Sequence, residues 1–111
     1  MNEAFRQQID AVLAPVKLPA GMEISFKPVF GAVAAYADGE IFMTCGRFGL
    51  GLKLDDQTCE HLLQSAEGQP LKYFDKGHVK RNYVVLADEV LEDAGRLKNL
   101  VDKSLDFVRG T

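Results

Sequence analysis

Near the start of the chain, apolar residues recur at helical spacing. Phe5, Ile9, Val12 and Leu13 fall at i, i+4, i+7 and i+8, with Arg6, Gln7, Gln8 and Asp10 between them. Asn2 has the side chain of an N-cap, and Pro15 stops the helix before it. Residues 15–21, with Pro19 and Gly21, read as a connector.

The period then changes from helical to two. Ile24 and Phe26 alternate with Glu23, Ser25 and Lys27, and Pro28 ends or bends that strand. The small residues and apolar character of 29–37 suit a strand covered on both faces. Asp38-Gly39 is a two-residue hairpin signal, because both central positions of a type I′ turn need positive φ. In the return strand Ile41, Met43 and Cys45 share one face, with Phe42 and Thr44 on the other. Gly46-Arg47 is a turn candidate, and residues 48–54 alternate with every even position apolar. These segments predict a three-stranded meander.

Asp55 or Asp56 can cap a second helix carrying Cys59, Leu62, Leu63 and Ala66, ended by Gly68 and Pro70. Residues 71–74 and 79–86 predict a hairpin around Asp75-Lys76-Gly77-His78. Residues 87–93 allow a short helix that Gly95 breaks, and Leu97, Leu100, Val101, Leu105 and Val108 form the stripe of a last helix. The expected fold class is α+β: an antiparallel sheet of about five strands, a meander plus a hairpin, with N-terminal, middle and C-terminal helices on one side. One domain spans residues 1–111.

Composition narrows the function classes. Hydrophobic residues at 47% and charged residues at 26% are those of a folded globular domain. The longest uncharged, mostly apolar stretch, residues 28–37, is ten residues long. A membrane helix needs about twenty. The start, Met1-Asn2-Glu3-Ala4-Phe5-Arg6, lacks the basic and apolar regions of a secretion signal, so a cytoplasmic protein is expected, with Cys45 and Cys59 reduced. A net charge of −3 argues against direct nucleic-acid binding, which draws its affinity from neutralised phosphates.

Candidate chemistry is sparse. Gly46, Gly49 and Gly51 lie in or before a strand, where no helix N-terminus is available to cradle a phosphate. Gly49 and Gly51 instead clear one sheet face for a close neighbour, which we expect to be a helix, with a ligand as the rival. In the ligand case the pocket would be lined by Tyr36, Cys45 and Phe48 beside the two glycines. His61 follows Cys59 by two residues on a helix, about 200° around the axis, so they form no local nucleophile–base pair. The carboxylate pairs Asp55-Asp56 and Asp88-Glu89 are explained by helix starts, and Glu92-Asp93 lies in the same short-helix region. No catalytic, cofactor-binding or metal-binding set emerges, and no cofactor is expected. Lys76, Lys80, Arg81 and Tyr83 are the nucleic-acid candidates, because aromatic and basic side chains together can stack bases and hold phosphates. Strand alternation sends Lys80 and Arg81 to opposite sides, which favours a solvated hairpin.

Short motifs carry a family resemblance. Lys27-Pro28-Val29-Phe30-Gly31 is similar to the Met-Phe-Gly-like step that opens the core of the TfoX/Sxy N-terminal domain. Tyr36-Ala37-Asp38-Gly39-Glu40-Ile41-Phe42 is similar to that family's Tyr-x-Asp-Gly-x-x-Phe hairpin. Leu50-Gly51-Leu52-Lys53-Leu54 resembles its Leu-Tyr-Leu-Lys-Val strand, and residues 83–91 its Tyr-x-x-Leu-Pro-x-x-Val-Leu segment. The chain departs from the pattern at Val29, Gly51 and Ala87, where Met, an aromatic and Pro are usual.

The resemblance implies an α+β unit with no catalytic residues to transfer. The best-known relatives are bacterial regulators of natural competence that act with the cyclic-AMP receptor protein and carry a second, helical domain; a stand-alone version of the first domain is expected here. The function expected is therefore that of a non-enzymatic regulatory or adaptor domain working through protein contacts. Its partner would be another protein such as the transcription machinery, or a second copy paired through open sheet edges as a homodimer. A small-molecule binder or cryptic enzyme is the alternative, and a weak nucleic-acid module the next.

Overall fold

The computed structural model describes residues 1–110. Helix α1 covers Glu3–Leu13, and the Asn2 side chain accepts a hydrogen bond from the Phe5 amide at 3.0 Å, as its cap position predicts. The strands are β1 (Ile24–Val29), β2 (Ala32–Ala37), β3 (Glu40–Gly46) and β4 (Gly49–Lys53), then β5 (Gly68–Pro70) and β6 (Tyr83–Leu86). Helix α2 (Asp56–Gln64) lies between β4 and β5; α3 (Asp88–Leu91) and α4 (Ala94–Val108) follow β6. All strand pairs are antiparallel, in the order β1-β2-β3-β4-β6-β5.

The α+β class is as expected, but the sheet has six strands and its meander four. The long apolar run from residue 29 is cut by a turn at Phe30-Gly31, where φ is 49° and 81°. Those are type I′ values, and such turns normally carry Asn-Gly or Asp-Gly. The next turn obeys that preference, with Asp38 at 49° and Gly39 at 84°. The third turn is Arg47-Phe48, one residue later than expected, because Gly46 pairs with Gly49.

The expected hairpin arms at 71–74 and 79–82 are irregular chain. Residues 71–82 form one long loop, and its flanks are β5 and the last four residues of the expected second arm. Gly68 therefore opens a strand rather than closing a helix. The turn after α2 is made by Ala66, at φ 60°. Gly68 is required at its own position because a Cβ there would collide with the Val84 side chain. Gly95 sits inside α4 instead of breaking a helix; the break belongs to Asp93, whose side chain caps α4 through the Arg96 amide at 3.1 Å.

One sheet face carries the main core. Ile9 from α1, Leu62 from α2 and Leu97, Leu100, Val101 and Leu105 from α4 join Val33, Met43, Leu52 and Val84 of the strands in one buried cluster. The helices thus lie on one side, as the patterns predict. A bulge opposite Ala35 and Tyr36 lets consecutive Phe42 and Met43 both join that cluster. Ser104 anchors α4 by donating a hydrogen bond from Oγ to the Phe42 carbonyl at 3.0 Å.

Candidate functional site: an aromatic cleft at the end of the sheet

The opposite sheet face is also covered, and by the loop. Ala32, Ala34 and Thr44 are buried there although no helix reaches them, and so is Leu71 from the loop. Period two and the pairing of Thr44 with Gly51 set these residues on one face. Gly51 makes room for the loop: a Cβ at that position would come within 2.6 Å of Leu71 Cδ1. The close neighbour that Gly51 admits is therefore an irregular segment, and the one at Gly49 is the Val85 side chain of β6; neither is the helix expected. Two residues on, the Tyr73 hydroxyl donates to Thr44 Oγ1 at 3.2 Å, and the Lys80 amide donates to the Leu71 carbonyl at 2.9 Å, which ties the loop's two arms together.

Beyond that anchor the loop meets two turns of the meander. Tyr73 packs edge-to-face against Phe48 and against Phe30, at 5.4 Å between centroids in each case. Phe74 packs against Phe30 at 5.5 Å. Offset and edge-to-face rings at these separations attract through their quadrupoles. The resulting cluster is only partly closed. Phe30 is 65% exposed and Phe74 58%. An open cavity of about 570 Å³ lies between the Phe30-Gly31 turn, the Arg47-Phe48 turn and the loop at Lys72 to Asp75. A smaller one of about 210 Å³ lies on the other side of Phe30 and Phe74, against His78 and Lys80.

The electrostatics of this end differ from those of the helical layer. Arg47 and Lys72 border the larger cavity with one carboxylate, Asp75. Among the described residues, neither Arg47 nor Lys72 is in an ion pair. Lys80 lies 5.8 Å from the centre of the Tyr73 ring, a cation–π distance. The helices expose both signs, Glu3, Asp10, Glu60, Asp88 and Glu89 together with Lys98 and Lys103, and Lys98 is paired with Asp102 at 3.8 Å.

The residues singled out from sequence do not all meet here. Phe48 lines the cavity and Gly49 lies beside it in the Arg47-Phe48 hairpin, where φ is 114°. Gly51 lies beneath Leu71, away from the opening. Cys45 is on the other face: it pairs with Leu50, is buried in the main core, and its Sγ donates to Gln8 Oε1 of α1 at 3.2 Å. Burial pushes the Cys45 thiol up to about 11, so it is not a reactive thiolate. Tyr36 sits on the loop face with Lys27 5.1 Å from its ring centre, but does not line the cavity.

The basic residues are divided as well. Lys80 belongs to the aromatic end, while Arg81 turns to Asp56 at 3.3 Å. Tyr83 lies under Lys53, 5.9 Å from its ring centre, and burial first, then the neighbouring Tyr73 and Tyr36, raises its pKa. Lys76 is exposed at the loop tip. Phe30, Arg47, Lys72 and Phe74 had not been singled out as site residues. The signal for Phe30 was a bulky ring immediately before glycine, where a hairpin turn prefers Asn or Asp.

Comparison with known proteins identifies the family. The description of the TfoX N-terminal domain matches residues 17–108. The chain belongs to the TfoX N-terminal domain family. The match starts after α1 and takes in every strand and α2 to α4, so the aromatic end and the loop that builds it lie inside the TfoX domain. No curated protein matches the chain.

Proposed function

We propose that this TfoX-like domain is a non-enzymatic regulatory or adaptor module that acts by holding another protein at the aromatic end of its sheet. One observation carries the reading. Phe30 occupies a left-handed turn position and exposes two thirds of its surface to water. A bulky residue at positive φ costs about 1–2 kcal/mol, which the edge contacts of so exposed a ring at best offset, so Phe30 brings no net gain to folding. Rules broken locally in this way concentrate at functional positions. Exposed aromatics clustered on a rigid frame, with arginine beside them, have the composition of interface hot spots.

The sheet edges are poorer contact surfaces. β1 carries Pro28 and three-residue β5 carries Pro70, and an edge proline removes a ladder donor.

The test is affinity capture from nuclease-treated native lysate, comparing the wild-type chain with the Phe30→Asn, Phe74→Ala double variant. A protein held in stoichiometric amount by the wild type and lost with the double variant supports the reading. Capture that is indifferent to both substitutions, or that needs nucleic acid, overturns it.

A further inference from the structure

Resting on that reading, we propose that the partner's bound segment is acidic: a short extended peptide with one apolar side chain in the cleft between Phe30, Phe48 and Phe74 and carboxylates on either side. The argument is charge complementarity. Arg47 and Lys72 stand at the larger cavity without ion pairs among the described residues, and only Asp75 opposes them. Lys80, whose ammonium lies over the Tyr73 ring, stands at the smaller cavity, which has no carboxylate in its lining. Lys76 is exposed at the loop tip between the two groups. Cations left without a carboxylate beside exposed apolar surface are satisfied by a ligand that brings carboxylates and a hydrophobic anchor together.

The cleft is open at the surface and divided by the Phe30 and Phe74 rings, so it takes a side chain from an extended chain rather than enclosing a whole small molecule. Single-stranded nucleic acid fits less well. Its bases need successive free ring faces along a continuous basic track. Here the Tyr36, Tyr73 and Tyr83 rings each have a lysine of this chain over them. Arg81 is committed to Asp56, and the net charge of −3 repels a long polyanion. A short acidic segment needs only the local field, since exposed charges beyond a Debye length of about 8 Å are largely screened at physiological salt.

The experiment is an amide NMR titration of the full chain with three probes. One is a synthetic peptide of about twelve residues with a central Leu-Phe pair flanked by Asp and Glu. The others are the same peptide with Lys at each acidic position, and an oligothymidylate of similar length. The expected result is shifts confined to the Phe30-Gly31 turn, the Arg47-Phe48 turn and residues 72–80 with the acidic peptide alone. They should weaken at least about tenfold at roughly 0.5 M salt and in the Lys72→Glu, Lys80→Glu double variant, whose substitutions are at exposed positions and whose free amide spectrum should remain that of the folded chain.

Equal response to the basic peptide, or none to either peptide at millimolar concentration, overturns the acidic assignment. A stronger response to the oligonucleotide does so too and transfers the face to nucleic acid. Failure of the protein-contact reading shows separately. A photo-crosslinker at position 30 that captures a protein while the acidic peptide stays silent leaves the adaptor standing and removes only the acidic class.

Discussion

The Tyr73 hydroxyl reaches across the sheet face to donate a hydrogen bond to Thr44 Oγ1 at 3.2 Å, joining a loop to a strand 29 residues earlier in the chain. Thr44 is fully buried, so this bond satisfies a polar atom out of reach of water and fixes the root of the aromatic cluster. Removing one partner leaves the other unsatisfied, whereas replacing both with apolar groups of the same shape is nearly neutral. Tyr73→Phe should therefore cost about 1 kcal/mol, and Thr44→Val a similar amount. The double variant should cost less than the sum, with a coupling of at least about 0.5 kcal/mol by urea unfolding. Strict additivity would show that the bond does not hold the loop.

Leu71 and Gly51 form the second anchor of that loop. The Gly51 backbone has no positive φ, so Gly51→Ala strains no dihedral; its cost comes from pushing Leu71 away, since a Cβ would sit 2.6 Å from Leu71 Cδ1. Overpacking of this kind typically costs about 1–3 kcal/mol. We expect G51A to lower stability by that amount and to shift the amides of residues 71–74. Shortening the opposing side chain should relieve it, so G51A with Leu71→Val should be more stable than the two single costs predict. Chemical denaturation of the four proteins measures this directly.

Much of the fold was legible because most elements obey local rules. The α1 stripe, the Asn2 and Asp55 caps, the Asp38-Gly39 turn and the alternation through Leu50, Leu52 and Leu54 each state their structure in a few neighbouring residues. The Phe30-Gly31 turn was hidden because it breaks the composition rule for its turn type, so the break falls at Pro28 in the pattern and residues 29–37 read as one unbroken run. The loop was misread for a tertiary reason. Tyr73 and Leu71 have strand-like character, but they are apolar because they cover the second sheet face, not because they pair in the ladder. Phe48 was visible as an aromatic beside glycines, whereas Phe30 and Phe74 become neighbours only once the loop lies against the turn. Grouping Cys45 with Gly51 was avoidable, since the pairing of Cys45 with Leu50 and Thr44 with Gly51 sends the two to opposite faces.

Both cysteines should be silent in the native state and should govern alkaline stability. Cys45 donates to Gln8 and Cys59 to the Leu54 carbonyl, and burial pushes each thiol from 9.0 up to about 11. Neither should react with a thiol reagent near neutral pH until the protein is unfolded. Between pH 9 and 11 the unfolded chain releases these protons while the folded chain keeps them. Stability is therefore complete below pH 9 and falls as pH rises through that interval, by about 2 kcal/mol per thiol at the upper end. Tyr73 and Tyr83, whose pKa values burial also raises, act in the same direction above pH 10. Urea midpoints measured from pH 8 to 11 should show the decline, and the Cys45→Ala, Cys59→Ala double variant should lose most of its slope between pH 9 and 10. An unchanged slope would mean that the thiols are not protected by the fold.

Phe30 and Phe42 offer the sharpest contrast between a ring that we propose serves recognition and a ring kept for folding. Phe42 is fully buried in the main core, and Phe42→Ala should cost about 3–5 kcal/mol. Phe30→Asn gives up two edge-to-face contacts, each worth about 0.5–1.5 kcal/mol when well packed and less at this exposure. In return it places at φ 49° a residue that tolerates left-handed backbone, which recovers about 1 kcal/mol. The two effects nearly cancel, so F30N should unfold within about 1 kcal/mol of the wild type while losing partner capture. If F30N instead proved as damaging as F42A, Phe30 would be a structural residue and the aromatic end would lose its claim to be a contact surface.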